Sequence, residues 1–194
     1  LSELTLDDNN LTTIPIDRYP NLRLLAVGKN PLGTLDITSL KSLEGVYAGE
    51  CALTEVRLAN PLLWDLGLQS NMLTSIDLSG TPAANQLWLS NNRLASIDLS
   101  GLNQLNVVFI DGNRFDFTTL PAVNDNWYIY NYRNQAPLEV NPAGSRVDLS
   151  SQAVVNGIAT SYAWYEGVPE YDEEGNLTGT LLTEGEDYTI EDGI

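Results

Sequence analysis

At 194 residues the chain is long enough for one sizeable domain or two small ones, and its 26 acidic against 9 basic residues leave a net charge of −17. That balance, with no cluster of Lys and Arg, argues against a nucleic-acid partner. The absence of histidine and the single cysteine, Cys51, exclude Ser-His-Asp triads, Cys/His nucleophile pairs and zinc sites built from those residues. No apolar run approaches the ~20 residues that span a bilayer.

Aligned on its leucines, the chain falls into six coils that begin at Leu1, Leu22, Leu43, Leu63, Ala84 and Leu105, each 20 or 21 residues after the last. The pairs Leu4/Leu6, Leu25/Val27, Val46/Ala48, Leu66/Leu68, Leu87/Leu89 and Val108/Ile110 alternate as the inward residues of a short strand. A turn residue follows each pair: Asn9, Asn30, Cys51, Asn71, Asn92 and Asn113. Pairs such as Ile76/Leu78 and Ile97/Leu99 then return apolar side chains to the same interior. This is the pattern of a leucine-rich repeat.

The inward asparagines are expected to satisfy backbone groups that would otherwise be buried unpaired, and Cys51 to be a buried structural thiol in the same slot. A coil of this length has no room for a full helix on its outer side. We therefore expect a mainly β solenoid with little helix.

The pattern stops at Pro121. Residues 121–136 read as a C-terminal cap, in which Trp127-Tyr-Ile-Tyr130 is an aromatic strand and Asn134-Gln-Ala-Pro137 a linker. The repeat domain is placed at 1–136 and a second domain at 137–194. The second is the more acidic part, with twelve acids to one base, against fourteen to eight before it. Its runs Leu138–Val140, Arg146–Ser150, Ser161–Tyr165, Thr180–Thr183 and Asp187–Ile190 alternate between Gly, Pro and Asn turns, and Trp164 sits mid-strand. They suggest an immunoglobulin-like β-sandwich, truncated at Ile194 because five strands can be counted where about seven are usual. Earlier repeats or a signal peptide are expected to precede Leu1, which stands in mid-repeat.

The repeats Leu66–Ser79 and Leu87–Ser100 resemble those of internalin-like bacterial surface proteins, especially the Bacteroides variety, and the tail around Ala163-Trp-Tyr165 and Glu186–Gly193 is similar to the immunoglobulin-like module that follows such repeats. The resemblance implies secretion or cell-surface anchoring and protein binding in adhesion or host contact. It brings no catalytic motif.

Between the inward leucines, alternate residues face out on the concave side, in the order Thr5, Ala26, Tyr47, Gly67, Trp88 and Phe109. With no side chain on Gly67, the Tyr47 and Trp88 rings are expected to flank a gap about 10 Å wide, two strand spacings of ~4.8 Å. Asp7, Asp8, Glu50, Asp65 and Asp111 rim the column. The partner-binding residues read from this pattern are Tyr47, Trp64, Trp88, Phe109, Glu50, Asp65 and Asp111, with no catalytic residue, metal or cofactor. A protein partner, such as a host extracellular protein, is the first reading. A glycan in the Tyr47/Trp88 gap and a purely structural stalk are the alternatives. An enzyme is disfavoured because acids on a flat repeat face lack the enclosed pocket that raises a pKa. In the tail, Asp172-Glu-Glu-Gly-Asn176 reads as a hairpin tip or a weak calcium loop, and the sequons at Asn10 and Asn176 as coincidences.

Overall fold

The computed structural model describes residues 1–137, 147–155, 158–159, 163–166, 172 and 178–187. The chain divides into two compact units, Leu1–Phe115 with Thr119–Ala136, and Asp116–Thr118 with Pro137–Ile194.

The first unit is a leucine-rich repeat solenoid. Its strands are β1 (Glu3–Thr5), β2 (Leu24–Ala26), β3 (Thr34–Asp36), β4 (Gly45–Tyr47), β5 (Glu55–Arg57), β6 (Asp65–Gly67), β7 (Gln86–Trp88), β8 (Val107–Phe109) and β9 (Ile129–Asn131). Seven of them form one parallel sheet in the order β1-β2-β4-β6-β7-β8-β9, and β3 with β5 forms a small parallel pair in the return segments. In the seven-stranded sheet the register runs Leu4, Leu25, Val46, Leu66, Leu87, Val108, Tyr130, so one inward residue per coil stacks on the next. From Leu25 to Val108 these residues are almost completely buried. They share one core with Leu22, Leu43, Leu63, Leu68, Leu89 and Ile110. The only helical turn described here is the 3-10 segment Ile16–Arg18.

The asparagine slots carry the ladder. Asn71 Nδ2 donates to the carbonyls of Ala48 (2.8 Å) and Leu68 (2.9 Å), while its Oδ1 accepts from Cys51 N and Leu53 N, both at 2.9 Å. Asn30, Asn92 and Asn113 repeat the arrangement, each reaching one carbonyl in the preceding coil and one in its own. Each amide therefore joins two coils at once. Cys51 is fully buried, and its Sγ lies 3.2 Å from Val27 O and 3.3 Å from Gly49 O, a weaker version of the same rung. Burial pushes its thiol up from the ordinary range, which blunts reactivity.

Before every rung one residue turns through positive φ: Asp8, Lys29, Glu50, Ser70, Asn91, Gly112 and Asn134, with φ between 53° and 63°. Only one of the seven is glycine, although the left-handed region costs an L-residue roughly 1–2 kcal/mol. At Gly112 a Cβ would collide with Asn91 Oδ1, so any other residue there requires the Asn91 side chain to turn aside.

The sequence reading of the cap needs correction. Ile129–Asn131, rather than Trp127–Tyr130, is the strand, in parallel register with β8. The segment read as a linker is part of a seventh coil. Asn134 takes the positive-φ position, and Gln135 takes the rung: its Nε2 reaches Ile110 O (3.0 Å) and Tyr132 O (2.8 Å), and its Oε1 accepts from Phe115 N (3.1 Å). Gln does what Asn does from one methylene further away. Trp127 and Tyr130 meet edge to face with ring centroids 5.0 Å apart, closing this coil with aromatic rather than aliphatic volume.

In the second unit, β10 (Val154–Val155) pairs antiparallel with β11 (Ile158–Ala159), and Tyr165 bridges Leu181. Leu182 N donates to Trp164 O and Glu166 N to Thr180 O in the same pairing. These pairings join described residues of the unit, and Glu184 lies in a further bridge. The strand read at Arg146–Ser150 is absent across its described part, residues 147–150, because Asp148 Oδ1 accepts from Ser150 N (2.9 Å) and bends the chain into the 3-10 turn Ser150–Gln152. Asp187, read as a strand start, lies in a turn and accepts from Thr183 N. Leu138–Val140, residues 188–190 and all of the proposed calcium loop except Asp172 lie outside the described residues. Among the described residues no helix is long and apolar enough to cross a membrane.

Candidate binding face

The side chains on either side of the first inward residue of each strand form columns across the seven-stranded sheet. One column runs Glu3, Leu24, Gly45, Asp65, Gln86, Val107, Ile129, and the next runs Thr5, Ala26, Tyr47, Gly67, Trp88, Phe109, Asn131. Only the second column lies between two inward residues and is legible from their alternation. The first contains the residue that organises both.

Asp65 was expected as a rim acid. It is instead 7 % exposed, and its carboxylate joins two rings: Tyr47 Oη donates to Oδ2 (2.5 Å) and Trp88 Nε1 to Oδ1 (3.1 Å). The three residues sit on three consecutive strands, so one buried carboxylate fixes the pose of an aromatic on either side. The hydrogen bond to Asp65, reinforced by burial, pushes the Tyr47 phenol up to about 12. Trp88 also stacks on Phe109, with ring centroids 4.5 Å apart and planes 8° from parallel. That separation is close to the ~4.8 Å spacing of the strands, so the sheet itself sets the stacking distance.

The open gap expected at Gly67 is filled. Tyr47 Cδ1 comes within 3.1 Å of where a Gly67 side chain would begin, and Gln69 Oε1 within 3.3 Å of it. The Tyr47 ring also passes over Gly45, with Cε2 3.8 Å from the corresponding point there. Glycine at 45 and 67 thus gives Tyr47 a floor to lie on, because leaning toward Asp65 gains a hydrogen bond that standing upright forgoes. The Tyr47/Trp88 pair is a joined surface rather than two walls of a slot.

The other expected site residues are spread around this cluster. Trp64, one residue before β6, is 44 % exposed, and Tyr47 is 37 % exposed. Glu50 is exposed but belongs to the positive-φ turn beyond the strand. Asp111 is half-buried, and its Oδ1 accepts from Ser90 Oγ (2.6 Å) and Asn131 Nδ2 (3.0 Å), tying β8 to its neighbours. Asp7 is exposed and accepts from Gly28 N at 2.6 Å. Sequence reasoning missed the bidentate Arg23–Glu44 pair (2.8 and 2.7 Å) and Gln69, whose Nε2 lies 2.8 Å from the point where a Gly49 side chain would begin. Writing out every outward column, rather than one, exposes both. Among the described residues no three His, Cys, Asp or Glu side chains are grouped to hold a metal ion.

No family model matches the chain, and neither does any curated protein. Among solved structures it is similar to the functional domain of InlJ from Listeria monocytogenes, which includes a cysteine ladder. The TM-score is 0.57 at 21% identity, over 96% of this chain and 48% of that one. It is also similar to YopM from Yersinia enterocolitica WA-314, with TM-score 0.54 and 20% identity over 73% of this chain and 35% of that one. The chain thus spans about half of the first and a third of the second. At such identities the likeness is one of fold, and the fold is the leucine-rich repeat solenoid.

Proposed function

We propose that this chain is a non-enzymatic protein-recognition module of a secreted or surface-anchored bacterial protein of the internalin-like, Bacteroides type, and that it binds a protein partner, such as a host extracellular protein, on the concave face. Tyr47, Trp64, Trp88 and Phe109 supply the anchoring area, with Glu50 and Asp111 at its edge and Asp65 beneath it. The second unit serves as an immunoglobulin-like spacer. The observation that carries this reading is the set of partly exposed rings held in fixed poses by Asp65 and by the Trp88–Phe109 stack. Rigid aromatic side chains on a regular sheet lose little entropy on binding, which is what interface hot spots require.

The test is a screen of the purified chain against a panel of extracellular proteins and a glycan array, beside a Tyr47→Ala/Trp88→Ala variant whose circular dichroism is unchanged. Protein hits that the variant loses support the reading. Hits confined to glycans favour sugar recognition instead, and hits that survive the double substitution move the site off this face. An absence of any hit leaves the structural stalk as the better account.

A further inference from the structure

The Asp65 carboxylate is buried, yet among the described residues no lysine or arginine lies within ion-pair distance of it. Both oxygens are bonded to neutral groups, Tyr47 Oη and Trp88 Nε1. A buried carboxylate is usually paired with a cation, because neutral donors offset only part of its lost hydration. Two acceptor positions are filled, and a carboxylate has about four. The groups above it are aromatic rings, whose faces are electron-rich and attract cations. The whole chain, at −17, adds a long-range field of the same sign.

From the buried carboxylate, the rings of Tyr47 and Trp88 gathered on it and the exposed Trp64 beside it on the chain, we infer that this cluster receives an arginine side chain of the partner protein. Guanidinium suits it better than ammonium, being planar, weakly hydrated and able to stack on a ring while donating to a carboxylate. The inference rests on the proposed function, since it names the chemistry that the concave face selects. It makes Asp65 the source of selectivity, while the rings supply area.

The experiment follows the Trp88 indole N–H resonance of the full chain, assigned by its loss in Trp88→Phe, during titration with acetyl-arginine amide and with its neutral isostere acetyl-citrulline amide. Saturable shifts with the arginine probe alone, weakened about tenfold or more by Asp65→Asn, are expected. Tyr47→Phe keeps the carboxylate and frees one acceptor position, so it should bind the arginine probe at least as well as the parent. Equal shifts from citrulline, undiminished binding in Asp65→Asn, or silence with arginine would each overturn the inference. A protein hit lost in Trp88→Ala with arginine silent would sink only the cation site. Arginine binding with protein hits indifferent to Trp88 would sink only the proposed function.

Discussion

The ladder side and the concave face of the same coils use polar groups in opposite ways. On the ladder, Asn30, Asn71, Asn92 and Asn113 are buried and spend their amides on backbone groups of two coils, so they hold the stack together and present nothing to a partner. On the face, the polar groups bond to other side chains: Tyr47 and Trp88 to Asp65, Ser90 and Asn131 to Asp111. These bonds orient side chains without closing the fold. Stability and the proposed recognition thus fall to different columns of one repeat, and the two can be altered separately.

The largest effect should come from the ladder. Asn71→Ala strands Cys51 N, Leu53 N and the Ala48 carbonyl in the core, while Leu68 O keeps its bond from Asn92 Nδ2. At roughly 1–3 kcal/mol for each unsatisfied buried group, partly relieved by relaxation, the loss should be about 3 kcal/mol or more in urea unfolding. Asn9→Ala is the control, because Asn9 is exposed and bonds only to Leu6 O and Asp7 O of its own coil. It should cost less than about 1 kcal/mol. Similar losses in the two variants would remove the ladder from the account.

On the face, Asp65→Asn should cost about 1–2 kcal/mol, since an amide cannot accept from both rings. Its clearer signature is optical. Tyr47 should ionise near 12 in the parent protein by ultraviolet titration, and toward the ordinary 10 in the variant. The folded state holds this proton more tightly than the unfolded chain does. The resulting stability is fully present below pH 10 and is lost as pH rises through about 12. A tyrosine that titrates identically in the two proteins would mean that the Asp65 bond does not persist in solution.

A smaller gain is expected in the turns. Ala52, at φ 53°, and Glu50, at φ 57°, are both exposed, so glycine at either position relieves backbone strain at the cost of a more flexible unfolded chain. Each substitution should stabilise by up to about 1 kcal/mol in thermal melts. A loss at both would show that these turns are held by their side chains rather than strained by them.

These contrasts also explain what the sequence made legible. The inward leucines and the asparagine rungs recur at a fixed step because each coil poses the same packing and hydrogen-bonding problem, and the repetition is visible without a structure. Gln135 escaped notice because its longer side chain fills the rung after a 22-residue step, where the period had already slipped. The ring poses were not legible, since they arise across strands: Tyr47 lies down because Gly45 and Gly67 allow it and Asp65 attracts it, and those three residues belong to two coils. In the second unit nothing repeats, so a run such as 147–150, with alternating apolar residues, was read as a strand although its Asp-x-Ser turn bends it.

The most direct test of the central claim compares two single substitutions against the first protein that the screen identifies. Trp88→Ala removes a half-buried ring from the face, and Asp98→Ala removes an exposed carboxylate in a return segment, where it accepts only from Ser100. By calorimetric titration Trp88→Ala should weaken binding at least about tenfold, as hot-spot aromatics do, while Asp98→Ala leaves it unchanged. Equal losses, or a loss confined to Asp98→Ala, would contradict the assignment of recognition to the concave face.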